Sequence, residues 1–202
     1  MKQENLGLDV EQLIDRQSQL QASARDLIDG LGLLAILDPA GSVRPVGSFE
    51  LGLMVWPDLD LEVITPGPPR PEVVLDVLRD LVLISGVSKI NYADHRNGAG
   101  AELPRGIYVG PDPDFRSVRW QVDIWFIDED QAAERRRLAE SFRGRLTDAS
   151  RRTILQIKQV AAASYRYHRG VSSVDIYRAV LDEGVTSVDG FVSVLARTGR
   201  GL

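Results

Sequence analysis

Apolar positions recur at two different periods along this chain. Between about 8 and 30, Leu8, Leu13, Ile14, Leu20, Leu27 and Ile28 return at helical spacing, with Asp9 placed to cap the start and Gly30 to end it. A short strand is predicted over 42–47 (SVRPVG). Over 58–64 (DLDLEVI) the alternation is strict: Leu59, Leu61 and Val63 take one side and Asp58, Asp60 and Glu62 the other, the mark of a half-buried strand. The breaker run TPGPPRP follows, and Pro71 opens a helix predicted over 71–84 that buries Val74, Val77, Leu78 and Leu81. Further strands are predicted at 87–93, 105–110 and 116–127, with a glycine-rich polar loop over 94–106. In the last strand Val118, Trp120, Val122, Ile124 and Phe126 share a face, opposite Arg119, Gln121, Asp123 and Trp125. After Ile127 the period is wholly helical, with helices predicted at 131–144, 148–168, 173–183 and 187–197. Ser172 with Asp175 forms an N-terminal capping pair, and Gly184 suits a helix stop. The expectation is an α/β (α+β) domain over 1–130 and a helical subdomain over 131–202.

Composition narrows the chemistry. With 202 residues, 44% hydrophobic and 26% charged, the chain is long enough for a core without staples. It has no cysteine, which removes thiol nucleophiles, disulfides and thiolate metal sites. Two histidines, His95 and His168, are too few for a multi-histidine metal site, so any metal rests on carboxylates, a ligand set suited to hard cations such as magnesium. Neither histidine has an evident nucleophile partner, and no Gly-x-Ser-x-Gly elbow is present. The net charge of −5 lacks the basic footprint of a duplex binder, so no long nucleic acid is expected as a partner. The opening residues carry no signal-peptide core, and no apolar run reaches the length of a membrane span. A cytoplasmic location is the expectation.

Three features carry chemistry together. Val46-Gly47-Ser48 ends the first short strand; Asp58-Leu59-Asp60 opens the next, with nine residues (49 to 57) between Ser48 and Asp58; Asp123 stands among apolar residues in a later strand. A glycine at a strand end lets the backbone approach a bulky anion, and the serine and helix start behind it offer donors to phosphate oxygens. Aspartates at i and i+2 of a strand point the same way and can ligate one divalent cation. A third carboxylate on a neighbouring strand can hold a second cation or take a proton, and such paired metals clamp the attacking and leaving oxygens of an in-line phosphoryl displacement.

This constellation resembles the polymerase-beta-like nucleotidyltransferase superfamily, whose signature is an apolar residue, Gly-Ser, a short spacer and Asp-x-Asp or Asp-x-Glu. The resemblance covers about residues 25–127. It implies a mixed sheet with flanking helices followed by a helical subdomain, the latter similar in kind to small antibiotic-type nucleotidyltransferases. It implies that Gly47 and Ser48 hold a nucleoside triphosphate, that Asp58 and Asp60 bind Mg2+ or Mn2+, and that Asp123 completes the metal site or acts as general base. Where many members read Gly-Ser-x-Ala-Arg-Gly, this chain has Gly47-Ser48-Phe49-Glu50-Leu51-Gly52, with Leu51 at the arginine position and Glu50 adding negative charge.

The expected activity is transfer of a nucleoside monophosphate to a hydroxyl acceptor with release of pyrophosphate. A small cationic molecule of antibiotic type suits the acidic segments 112–114 and 128–130; a protein acceptor is the other candidate, and a homodimer is compatible. The rival is a catalytically inactive nucleotide-binding or structural module, motivated by Leu51. Lys158 and Arg44 are secondary candidates for phosphate contact, although a plain surface role fits each. Glu62 reads as a solvent-exposed strand end or an outer-sphere ligand, His95 as a loop histidine, and the run from Glu134 to Arg137 as an exposed helical face. The cluster Tyr165-Arg166-Tyr167-His168-Arg169 fits a positive helix C-terminus. Trp56, Trp120 and Trp125 read as core or cleft wall.

Overall fold

The computed structural model describes residues 8–98, 103–164, 167 and 170–202. The chain clusters into two compact units, one formed by 21–51 and 56–139, the other by 1–20, 52–55 and 140–202. The cut expected near 130 falls inside α5 (Glu129–Arg143), which runs through it.

The first unit holds a mixed sheet. Its helical elements include the second half of α1 (Val10–Gly30), then α2 (Leu33–Leu37), a 3-10 turn over 38–40, α3 (Gly47–Leu51) and α4 (Pro71–Leu81). Its strands are β1 (Ser42–Val46), β2 (Asp58–Thr65), β3 (Val87–Asp94), β4 (Ile107–Phe115), β5 (Val118–Arg119) and β6 (Gln121–Asp128). The order across the sheet is β1-β2-β6-β4-β3, with β5 paired to β4. Only β2 and β6 run parallel; the other pairs are antiparallel.

The alternation read from the sequence sets the two faces of this sheet. Leu59, Leu61, Val63, Val122, Ile124, Phe126, Ile107 and Val109 are all fully buried. Each such side chain contributes on the order of 1.5–3 kcal/mol of burial. Cover comes from α4, which buries Val74, Val77 and Leu81 and contacts β4, and from α2, which contacts β1. The opposite face carries Asp58, Asp60, Glu62, Gln121, Asp123 and Trp125.

The expected strand over 116–127 is divided in two. Arg116 and Ser117 take positive φ (49° and 64°), the backbone of a tight hairpin turn, so β5 folds back onto β4 before β6 begins. Alternation is blind to this, because Val118 and Trp120 keep the phase of the strand that follows.

In the second unit, α6 (Asp148–Ala163), α7 (Ser173–Leu181) and α8 (Val188–Arg197) pack pairwise. Ile154, Leu155, Ile157, Ile176, Phe191 and Leu195 form its core. The caps are local and legible: Asp9 and Gln12 bond reciprocally ahead of α1, Thr147 and Ser150 ahead of α6, and Ser172 and Asp175 ahead of α7. Helix α6 ends at Ala163, short of the expected 168. Residues 165, 166, 168 and 169, and with them the expected charge of His168, lie outside the described residues, while Tyr167 is buried with its hydroxyl on Ser173.

Candidate active site

The antiparallel register of β1 on β2 sets Val46 opposite Asp60. The chain then turns at Gly47, whose φ of 65° lies in the left-handed region, and enters α3 with Ser48, which is 7% exposed. A Cβ built on Gly47 would lie 2.1 Å from Asp60 Oδ2. A side chain here would force the turn or the carboxylate to shift, so glycine suits the position.

The parallel register of β2 on β6 then aligns Asp60 with Asp123 and Asp58 with Gln121. Asp58, Asp60 and Asp123 therefore share one sheet face on adjacent strands, as the i, i+2 spacing and the lone strand aspartate predict. Asp58 is 9% exposed, whereas Asp60 and Asp123 are half-buried. Among the described residues no group of three or more His, Asp or Glu side chains has converged into a ready-made metal cluster. What fits a cation is the donor set: hard carboxylate oxygens on one face of rigid strands, with a glycine turn packed against one of them.

Asp123 is held from two sides. Tyr108 on β4 donates its hydroxyl to Oδ1 at 2.6 Å, and Gln121 donates its amide to Oδ2 at 3.1 Å. Burial, and then the bond to Asp123, raise the Tyr108 phenol far above its ordinary range, so it stays a donor at any working pH. Space for that hydroxyl depends on Gly110, where a Cβ would lie 2.1 Å from the Tyr108 oxygen. Sequence reading missed Tyr108 and Gly110, because the pair has meaning only once β4 is laid beside β6.

Several expectations need correction. Glu62 is not an exposed strand end: at 1% exposure it accepts from Arg44 at 2.6 Å and from Arg135 at 2.5 Å. Arg44 is thus tied to a buried carboxylate, and Arg135 is more than one charge of an exposed helical face. Lys158 is not a surface lysine. It is 1% exposed in the helical unit, where its ammonium donates to the Leu53 carbonyl at 2.8 Å and stands 3.4 Å from the Tyr177 hydroxyl. Arg151 donates to the Gly52 carbonyl in the same way at 2.7 Å, so both cations anchor the 52–55 segment. His95 packs on Trp125 with ring centroids 5.6 Å apart. Trp120 is core, and Trp125 is half-buried on the carboxylate face.

No protein-family model and no curated protein matches the sequence. Solved structures match the fold. The Cid1 poly(U) polymerase, determined with magnesium and 3′-dATP, aligns over 80% of this chain and 48% of its own, with a TM-score of 0.58 and 20% identity. A cytoplasmic RNA terminal U-transferase aligns over 80% and 47%, at TM-score 0.56 and 18% identity. The poly(A) polymerase complex of GLD-2 with GLD-3 aligns over 90% and 61%, at TM-score 0.57 and 15% identity. This chain has the nucleotidyltransferase fold. It spans about half the length of the first two structures and somewhat more of the third. These structures carry the names of poly(U) and poly(A) polymerases and a terminal U-transferase, and they do not show the small antibiotic-type likeness expected from the helical subdomain. Among the described residues no helix is long and apolar enough to cross a membrane.

Proposed function

We propose that this chain is a nucleotidyltransferase, moving a nucleoside monophosphate from a nucleoside triphosphate to a hydroxyl acceptor and releasing pyrophosphate. The observation that carries the reading is the packing of the Gly47 turn against Asp60, so close that an added Cβ would force the turn or the carboxylate to shift, with Asp123 in register beside Asp60. Gly47 and Ser48 would hold the triphosphate. Asp58 and Asp60 would hold a divalent cation, Mg2+ or Mn2+, which when bound neutralises triphosphate charge and the departing pyrophosphate. Asp123 accepts the proton of the acceptor hydroxyl as its oxygen bonds to the α-phosphorus. The bond from that phosphorus to the bridging oxygen breaks, and pyrophosphate leaves with the electron pair. Tyr108 and Gln121 fix the Asp123 carboxylate for that task.

The neighbours are named as poly(U) polymerase, poly(A) polymerase and RNA terminal U-transferase, so an RNA end replaces a small antibiotic as the acceptor we favour. The acidic segment that suggested a cationic acceptor is partly engaged, since Arg119 reaches both Asp112 and Asp114. A second reading, an inactive module, has one specific observation behind it. Leu51, at the position where many relatives of this pattern carry arginine, is 6% exposed and part of the core.

A thermal-shift screen of the four nucleoside triphosphates, with and without magnesium, separates the two. A ligand at 100 times its Kd adds about 2.7 kcal/mol, a shift of several degrees at this size. A magnesium-dependent shift that disappears in Asp58→Asn/Asp60→Asn is expected of the enzyme; no shift with any nucleotide supports the module.

A further inference from the structure

The sheet has two ends. At one, β1 is five residues long and Pro45 removes a backbone donor from it. At the other, β3 pairs with β4 on one side only. Register fixes which backbone groups of β3 that pairing uses. His95 donates its N–H to the Gly106 carbonyl and Asp94 lies opposite Ile107, so Asn91 and Ala93 supply the bonds to β4. Ile90, Tyr92 and Asp94 therefore turn their N–H and C=O groups away from the sheet. Among the described residues no turn, loop or cap bond takes those groups up. We infer that this edge binds a second copy of the chain, β3 against β3, antiparallel about a two-fold axis at Tyr92.

The first half of β3 is closed to a further strand. Its register shifts between Val87 and Ile90, the Ser88 hydroxyl accepts from Arg119, and Lys89 sets a charge on the edge. What stays open is 90–94, where outward and inward backbone groups alternate symmetrically about Tyr92. Antiparallel pairing of this stretch with itself sets Tyr92 against the partner's Tyr92 and Ile90 against the partner's Asp94. Every outward group on both strands is then paired, about six bonds in all. A slip of two residues sets Asp94 against the bulge, or Ile90 against Arg96 beyond the strand end, and leaves outward groups unmatched. The open stretch thus matches its own copy in one register.

The side chains agree with that register. Tyr92 lies opposite the buried Val109, on the apolar face of the sheet, yet it is 43% exposed, and Ile90 beside it is half-buried. Pairing brings two tyrosines and two isoleucines together on that face, the kind of cross-strand cluster that stabilises a sheet. Asp94 brings no uncompensated charge, because Arg96 holds both its oxygens, at 2.9 Å and 2.7 Å. The two-fold axis stands normal to the sheet, so the carboxylate faces of both copies open to the same side of one continuous sheet. The contact is short, at the low end of specific interfaces, and the dimer forms at high protein concentration.

The test is sedimentation velocity of the whole chain from about 1 µM to about 500 µM, with a melting curve for each variant to show that it is folded. The wild type is expected to pass from monomer to dimer across that range. Tyr92→Pro removes one outward N–H and leaves the ladder to β4 intact, and is expected to stay monomeric. Tyr92→Lys and Tyr92→Asp keep every backbone group but set like charges face to face, and each alone is expected to lose the dimer. Mixed in equal amounts, the lysine and aspartate variants are expected to associate again, because the two-fold axis sets position 92 against itself. These two surface substitutions carry the test if the proline variant does not fold. A wild type that is monomeric throughout overturns the inference and leaves the edge to an extended segment of another protein. A dimer that persists in Tyr92→Lys, or that the mixture does not restore, overturns the pairing at Tyr92. No nucleotide or acceptor enters the experiment, so its outcome is independent of the nucleotidyltransferase reading.

Discussion

Gly47 and Asp60 are packed so that a single added methyl group would lie 2.1 Å from the Asp60 carboxylate oxygen. Gly47 opens α3 directly after β1 and Asp60 lies on β2, and the β1–β2 register brings them together by setting Val46 opposite Asp60. Gly47→Ala therefore meets two penalties. A left-handed backbone costs an L-residue about 1–2 kcal/mol, and the methyl must displace Asp60 or the turn. Expected is a folded protein, destabilised by roughly 1–3 kcal/mol, that has lost its magnesium-dependent nucleotide shift. An alanine variant that keeps the full shift would show that the turn and the carboxylate do not act together.

Tyr108→Phe removes one hydrogen bond and almost no volume. The Asp123 carboxylate keeps Gln121 on its other oxygen but gains rotational freedom. Loss of a group that orients a functional carboxylate commonly costs about 10–100-fold in activity. The expected result is a fall in kcat of that order, with the magnesium-dependent nucleotide shift retained. Gly110→Ala should act in the same direction, because its methyl would occupy the place of the Tyr108 hydroxyl. Single-turnover transfer rates on the two variants check both.

The carboxylate face was legible in the sequence because strand alternation has a period of two and the apolar phase is unbroken from Leu59 to Val63 and from Val122 to Phe126. The i, i+2 aspartates and the lone Asp123 then had to share that face. Tyr108, Gly110, Arg135 and the burial of Glu62 were not legible, since each depends on which strand lies beside which, and register is a property of the pairing. Lys158 misled for a different reason. A lysine in an amphipathic helix is usually a solvated charge, and nothing local shows that the backbone carbonyl of Leu53, 105 residues away in the chain, receives it.

Glu62 is the residue whose loss should be felt most in stability. Its charge is buried and serves two guanidiniums from separate elements, β1 and α5. Breaking a buried pair by removing one partner costs about 3–5 kcal/mol. Both arginines reach solvent here, so Glu62→Ala is expected near the low end, about 3 kcal/mol, a fall in Tm of roughly 6–12 °C. The milder Glu62→Gln keeps the shape and loses the charge, and should lie between. Differential scanning calorimetry of both variants measures this, and a change below about 1 kcal/mol in Glu62→Ala would mean the pair behaves as a surface contact.

Asp175 gives the helical unit a pH dependence of definite sign. Burial pushes its carboxyl upward, but the Ser172 backbone N–H and hydroxyl and the Arg200 guanidinium outweigh burial and hold it below the usual carboxylate range. A carboxylate lowered in the folded state stabilises fully above its unfolded value, about 3.9, and that contribution is lost as pH falls through the folded value. Asp175→Asn should therefore melt below the wild type at neutral pH. The gap should narrow as pH drops below about 4, because the wild type then loses what the variant never had. Asp94 is also held low, to about 2, by its bond to Arg96, and its contribution has the same sign, but it is present in both proteins and cancels in the difference. Helix melts followed by circular dichroism across that range read the gap directly. A gap that stays constant from neutral to acid pH would assign Asp175 a role through shape alone and not through its charge.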